Sequence, residues 1–194
     1  MKTMKLIFNI CLLLSLMAFV VACNKPAENV DTEATTEERH EHEDMHEGEQ
    51  ATTADFSGIS DEQSKNVISS YLEVKDALVA TEADQAKEGA KKMLAALEGA
   101  EGSRAVSGLK EDARHIVDTD EMEYIREHFD QMSQNIYALA KAKNTGMTLY
   151  KQHCPMAFDN QGAYWLSSSK EIRNPYFGDK MLKCGAVKET IASK

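Results

Sequence analysis

The chemistry-bearing residues of this 194-residue chain gather near its end, in two fragments that each pair a thiol with a thioether: Cys154-Pro155-Met156 and Met181-Leu182-Lys183-Cys184. In an extended segment side chains two apart share a side, and in one helical turn side chains three apart are neighbours, so each fragment can present both sulfurs together. Two thiolates and two thioethers form a soft donor set, which selects Cu(I), or Ag(I) by the same logic, over Ca, Mg or Mn. Zinc is the weaker match. It prefers thiolate and imidazole, and its best set here is Cys154, Cys184 and either His153 or His128. The two thiols have a second use, because paired cysteines in an oxidising compartment form disulfides. Closing a loop of about 30 residues stabilises by roughly 3 to 4 kcal/mol on the chain-entropy account. Both uses stay open at this level, and Met156 and Met181 also suit gap-filling beside aromatic rings.

These are the only two thiols expected to remain free. Lys2 and Lys5 precede an apolar run from Leu6 to Val21, interrupted by Asn9 and Ser15 and closed by Val20-Val21-Ala22-Cys23. That pattern predicts a secretory signal over residues 1–22, not a membrane span. Small residues ahead of a cysteine resemble the lipobox of bacterial lipoproteins, so Cys11 leaves with the signal and Cys23 is acylated. The expected product is lipid-anchored outside the cytoplasm, on the periplasmic face of the inner or outer membrane.

Acidity is uneven. The whole chain carries a formal charge of -10 with a pI near 5.1, which removes the basic face that a nucleic-acid partner needs. Residues 24–61 hold twelve acids and two bases, few large apolar residues and no periodicity. Residues 23–57 are therefore read as a disordered tether and residues 58–194 as a helical domain. Within the tether, His40, His42 and His46 stand with Met45 in seven residues, a tract able to gather Cu(II), Zn or Ni weakly.

Four amphipathic segments must position the sulfur fragments. Ser60-Asp61-Glu62-Gln63 has capping-box spacing, and Val67, Tyr71, Val74 and Leu78 follow it at helical intervals. Thr81 is read as the cap of a second helix that ends near Glu98-Gly99, and a third covers about 103–117. In the fourth, Met122, Ile125, Phe129, Met132, Ile136 and Leu139 form a heptad-like stripe. The resulting expectation is an all-α antiparallel four-helix bundle. Residues 147–185, which hold the single Trp, are expected to form an ordered Cys, Met and aromatic loop appendage with a short hairpin near Asn160-Gln161-Gly162. Trp165, Tyr176 and Phe177 would exclude water, while Pro175 and Gly178 shape the loop. His128, on the fourth helix, suits a hydrogen-bonded helix histidine at least as well as a ligand. No nucleophile, base and orienting group occur at telling spacings, so catalysis is not expected.

Tyr71-Leu72-Glu73-Val74-Lys75-Asp76-Ala77-Leu78-Val79, Arg126-Glu127-His128-Phe129 with Met132-Ser133, Cys154-Pro155-Met156-Ala157, Trp165-Leu166-Ser167, and the run from Asn174 to Gly185 together resemble one helical family, the domain of unknown function DUF3347. The resemblance extends over about residues 56–187. It implies lipoproteins or periplasmic proteins of Bacteroidetes-type bacteria, and similar domains are appended to periplasmic adaptors of heavy-metal efflux pumps. Copper or silver handling follows from that association, with Cys154, Met156, Met181 and Cys184 at the family's sulfur positions and His128 in its helix-four motif. This chain departs from the adaptor-linked form, since a His-containing tether stands where adaptor domains would be. The leading expectation is Cu(I) or Ag(I) sequestration or transfer to an efflux partner. The alternative is a non-metal interaction module stapled by a Cys154–Cys184 disulfide. Deleting residues 40–46 should lower uptake of divalent ions and leave monovalent binding intact; an unchanged divalent titration would refute the tether's role.

Overall fold

A computed structural model describes residues 54–101 and 103–193. The expected signal segment, Cys23, His40, His42 and His46 lie outside the described residues. Packing begins with Phe56 and Ile59, both buried, just ahead of the first helix.

Helix α1 spans Asp61–Ala80 and opens on the expected capping box: Gln63 N–H donates to Ser60 Oγ at 3.1 Å, and Ser60 N–H to Gln63 Oε1 at 3.1 Å. Two orphan helix-end donors are thereby satisfied. Thr81 does not cap α2, as its hydroxyl had suggested. It closes α1 from the left-handed region, with φ 60°, and α2 (Ala83–Ala96) starts after Glu82 without a side-chain cap. Helix α3 (Arg104–Val117) is capped by Ser103, whose Oγ receives Val106 N–H at 3.2 Å. Helix α4 (Met122–Ala142) buries Ile125, Phe129, Met132, Ile136 and Leu139 along its stripe. Consecutive helices pack on one another and α4 returns to α1, closing a four-helix bundle.

The fold is mostly helical but not purely so. Where a loop appendage was expected, the chain forms a three-stranded antiparallel sheet in the order β2-β1-β3, from β1 (Leu149–Cys154), β2 (Ala163–Ser167) and β3 (Ala186–Ile191). The expected hairpin is present: β1 and β2 pair from Tyr150↔Ser167 to Cys154↔Ala163. Its connection turns through Ala157–Asn160, where Phe158, Asp159 and Asn160 all take positive φ.

The sheet is joined to the bundle by a relay of hydrogen bonds. Leu166 N–H, on an edge strand, donates to Tyr71 Oη at 3.0 Å; the Tyr71 hydroxyl lies 2.8 Å from Ser133 Oγ, and Ser133 donates to Phe129 O at 2.8 Å. With the Tyr71 oxygen receiving Leu166 N–H and the Ser133 hydroxyl committed to Phe129, the Tyr71 proton goes to Ser133. The Tyr71 ring stacks on Phe129 with centroids 5.1 Å apart. A helix side chain thus covers an edge that would otherwise expose backbone.

Burial pushes the Tyr71 phenol above its ordinary value of 10.0, opposed by its hydrogen bonds to Ser133 and Leu166. A raised phenol contributes stability that is whole below about pH 10 and lost as pH rises further. Tyr71→Phe should cost roughly 1 to 3 kcal/mol by orphaning Leu166 N–H. The variant should also lose part of the wild-type decline above pH 10, as read by urea titration across pH 8–11; an undiminished alkaline slope would contradict the assignment.

Candidate functional site

Cys154, at the end of β1, and Cys184 are disulfide-bonded, with Cα atoms 5.6 Å apart across a separation of 30 residues. Cys154 is fully buried on the sheet face that also carries Gln152 and Trp165, whereas Cys184 is partly exposed and lies outside any strand. Three features seat Cys184 against β1. Gly185 has φ +145°, and a Cβ there would come 3.0 Å from the Trp165 ring and 3.1 Å from His153 O, so only glycine allows this approach without displacement. The turn before it is closed by Cys184 N–H donating to Met181 O at 3.0 Å.

The third feature is Asn174, which is completely buried. Its Nδ2 donates to Cys184 O at 2.9 Å, its Oδ1 receives Tyr176 N–H at 2.8 Å, and its backbone N–H donates to Leu182 O at 2.9 Å. One amide therefore ties both limbs of the 174–184 loop. Tyr176 anchors that loop to the fold, donating to Tyr164 O at 2.8 Å and lying 3.1 Å from Asp130 Oδ1. Burial raises the Tyr176 phenol, with the Asp130 charge adding to it, and burial likewise lifts the Asp130 carboxyl above the usual carboxylate range. Arg126, also buried, donates from Nε to Pro175 O at 3.1 Å.

The thioethers are arranged differently from the expectation. The extended segment stops at Cys154, and Met156 has φ -95° and ψ -7°, so strand alternation does not carry it to the side of Cys154. It is 46% exposed and opens on a cleft of about 260 Å³ lined also by Glu123, Arg126, Phe158, Asp159, Tyr176 and Phe177. Met181 follows a short 3-10 turn, Gly178–Lys180, and is linked to Cys184 by the turn rather than by a helix face; it does not line that cleft.

The histidines do not complete a zinc set. His128 Nδ1 lies 3.1 Å from Asp112 Oδ1, and its ring stacks on His115 with centroids 4.3 Å apart and meets Tyr124 edge-on at 4.6 Å. All these partners belong to α3 and α4. His153 alternates with Cys154 along β1 and faces the other side of the sheet, against Gly162. Burial, Lys188 and Lys151 hold its imidazole below the ordinary value, favouring the neutral ring. Among the described residues no group of three or more His, Cys, Asp or Glu side chains is placed to hold a metal ion. Nor is any described helix long and apolar enough to cross a membrane.

Bundle, sheet and cysteine pair define a mostly helical domain with two sulfurs at one strand end. Residues 67–148 match the family model described as Protein of unknown function (DUF3347). The match ends one residue before β1, so the sulfur motifs lie beyond it. No curated protein and no solved structure matches the chain significantly.

Sequence reasoning found the cysteines but missed the residues that hold them. Asn174 before Pro175 and Gly185 after Cys184 are turn signals in plain view, yet their partners lie too far along the chain to be read. Asn174→Ala should leave Tyr176 N–H and Cys184 O unpaired and destabilise by about 2 to 4 kcal/mol. It should also shift the equilibrium with glutathione toward the open dithiol, whereas Asn174→Asp, keeping the acceptor, should recover the Tyr176 contact alone. Stability without any change in that equilibrium would show that Asn174 does not position Cys184.

Proposed function

We propose that this protein is an extracytoplasmic, lipid-anchored module that binds Cu(I) or Ag(I) through Cys154 and Cys184 in their reduced form, sequestering the ion or passing it to an efflux partner. The observation that carries this reading is the meeting of two cysteines 30 residues apart at one strand end. Asn174 and Gly185 hold Cys184 there through contacts that do not involve sulfur. With the S–S bond open, the thiols stay neighbours, and a soft cation meets donors already gathered rather than ones it must order.

Met181, in the same turn as Cys184, supplies a weak thioether contact whose exchange suits hand-over. Trp165 and Tyr176, packed edge-on at 6.0 Å, limit water around the pair. Residues 1–22 direct export and Cys23 carries the lipid. His40, His42 and His46 on the tether collect divalent ions close to the membrane.

The bond between Cys154 and Cys184, together with the complete burial of Cys154, favours a second reading: an interaction module that the disulfide staples. Metal analysis of the full chain purified anaerobically after reduction, beside the Cys154→Ser, Cys184→Ser double variant, separates the two. Stoichiometric copper in the reduced wild type, lost in the variant and in the oxidised wild type, is the expected result. Equal retention by both chains would remove the site, and a bond that withstands mild reductant and Cu(I) would leave the staple.

A further inference from the structure

The two sulfurs of the pair differ in their surroundings. Cys154 has no exposed surface: β2 pairs with it through Ala163, and beside it Gly185 comes so near the adjoining His153 carbonyl and Trp165 that an added Cβ would lie 3.1 and 3.0 Å from them. Cys184 stands in the Met181–Cys184 turn, partly exposed, with exposed Lys183 before it. Thiol–disulfide exchange requires an incoming thiolate to reach one sulfur in line with the bond that breaks, so access decides which sulfur is attacked.

From this asymmetry we propose that the pair is opened by a dithiol reductant, an extracytoplasmic partner bearing two neighbouring thiols, which attacks Cys184 and not Cys154. In the first step the reductant's thiolate forms a bond to Cys184 Sγ. The electron pair of the breaking S–S bond leaves on Cys154, which takes up a proton to become a thiol. In the second step the reductant's other thiolate attacks its own sulfur in the mixed disulfide and releases Cys184, which is then protonated. The reductant ends as a disulfide, and two electrons and two protons have passed to the protein.

The fold also selects a dithiol over a monothiol. Asn174 keeps Cys184 beside Cys154 after the first step, because its bond to the Cys184 carbonyl does not depend on the sulfurs. Cys154 is therefore poised to attack the mixed disulfide and expel a monothiol, restoring the original bond. A second thiol on the same reductant competes at comparable effective concentration, whereas a second monothiol must arrive from solution. Reduction thus precedes metal loading in the reaction sequence. That ordering rests on the proposed use of the reduced pair, while the site of attack does not.

The test uses full-length Cys154→Ser and Cys184→Ser chains, alkylated with iodoacetamide and read by peptide mapping so that each cysteine is followed separately. Cys184 should react faster than Cys154 by about tenfold or more in the native state, with the two rates converging in denaturant. A Cys154 rate equal to or above that of Cys184 overturns the proposal. Should either variant not fold, the reduced wild type, alkylated under native conditions, supplies the same answer: faster labelling of Cys184 supports it, and faster labelling of Cys154 overturns it. In a third arm, dithiothreitol should open the wild-type bond at thiol concentrations where glutathione leaves it closed, and equal potency would remove the preference for a dithiol. None of these readouts involves copper. Failure to bind metal with attack still at Cys184 sinks only the proposed function, and attack at Cys154 in a chain that binds copper sinks only this inference.

Discussion

The buried hydroxyl of Tyr71 joins the two halves of this domain. It receives a backbone N–H from edge strand β2 and passes its own proton to Ser133 on α4, so one side chain of α1 fixes both other elements at once. Inside a protein an unpaired donor costs more than a made bond returns, and that asymmetry gives the relay its authority over geometry. It acts with other polar contacts between sheet and bundle, since Tyr137 Oη and Lys141 Nζ on α4 both donate to the Glu189 carboxylate on β3 at 2.7 Å. Phe129 extends the same constraint: it stacks on Tyr71 and meets the Tyr176 ring at 5.8 Å.

From that junction the cysteine pair is built outward in steps. Tyr176 reaches back to Tyr164 O on β2, so the 174–178 segment inherits the position of the sheet. Asn174 converts that segment into a closed loop by binding both limbs, and Gly185 lets the returning strand lie against Trp165. Gln152, buried beside Trp165 in the register, pins the intervening turn through bonds from Nε2 to Ser169 O at 2.8 Å and Glu171 O at 3.2 Å. Cys184 arrives beside Cys154 because each earlier contact has removed a direction in which the loop could move.

The bundle was readable because its signals are local. Ser60 and Gln63 lie three apart, and the α4 stripe repeats within one element, so capping and periodicity report directly on structure. Thr81 misled because a hydroxyl after a helix suggests the start of the next one, whereas here the residue adopts the left-handed conformation that ends α1. Beyond the hairpin near Asn160, the three-stranded sheet was missed for a physical reason. β1 reads Leu-Tyr-Lys-Gln-His-Cys, whose buried members include Gln152, and β3 is an exposed edge carrying Lys188 and Glu189, so neither shows apolar alternation. Their pairing is a tertiary decision. The thiols stood out by their rarity, but the fate of Met156 turned on Pro155 and the left-handed run after it, which redirect the chain away from extended geometry.

A bond between two sulfurs and a cation held by two thiolates make the same demand on a protein: both need side chains brought close and kept there. Loop 174–184 is held by Asn174, Tyr176 and Gly185, and its neighbouring turn by Gln152, none of which uses sulfur. A staple is most needed where a small core cannot hold a loop, yet here aromatic packing of Tyr176 against Phe129, Phe158 and Trp165 already does so. The disulfide therefore adds to an arrangement that the surrounding contacts also specify. That separation of scaffold from sulfur is what a reversible dithiol requires.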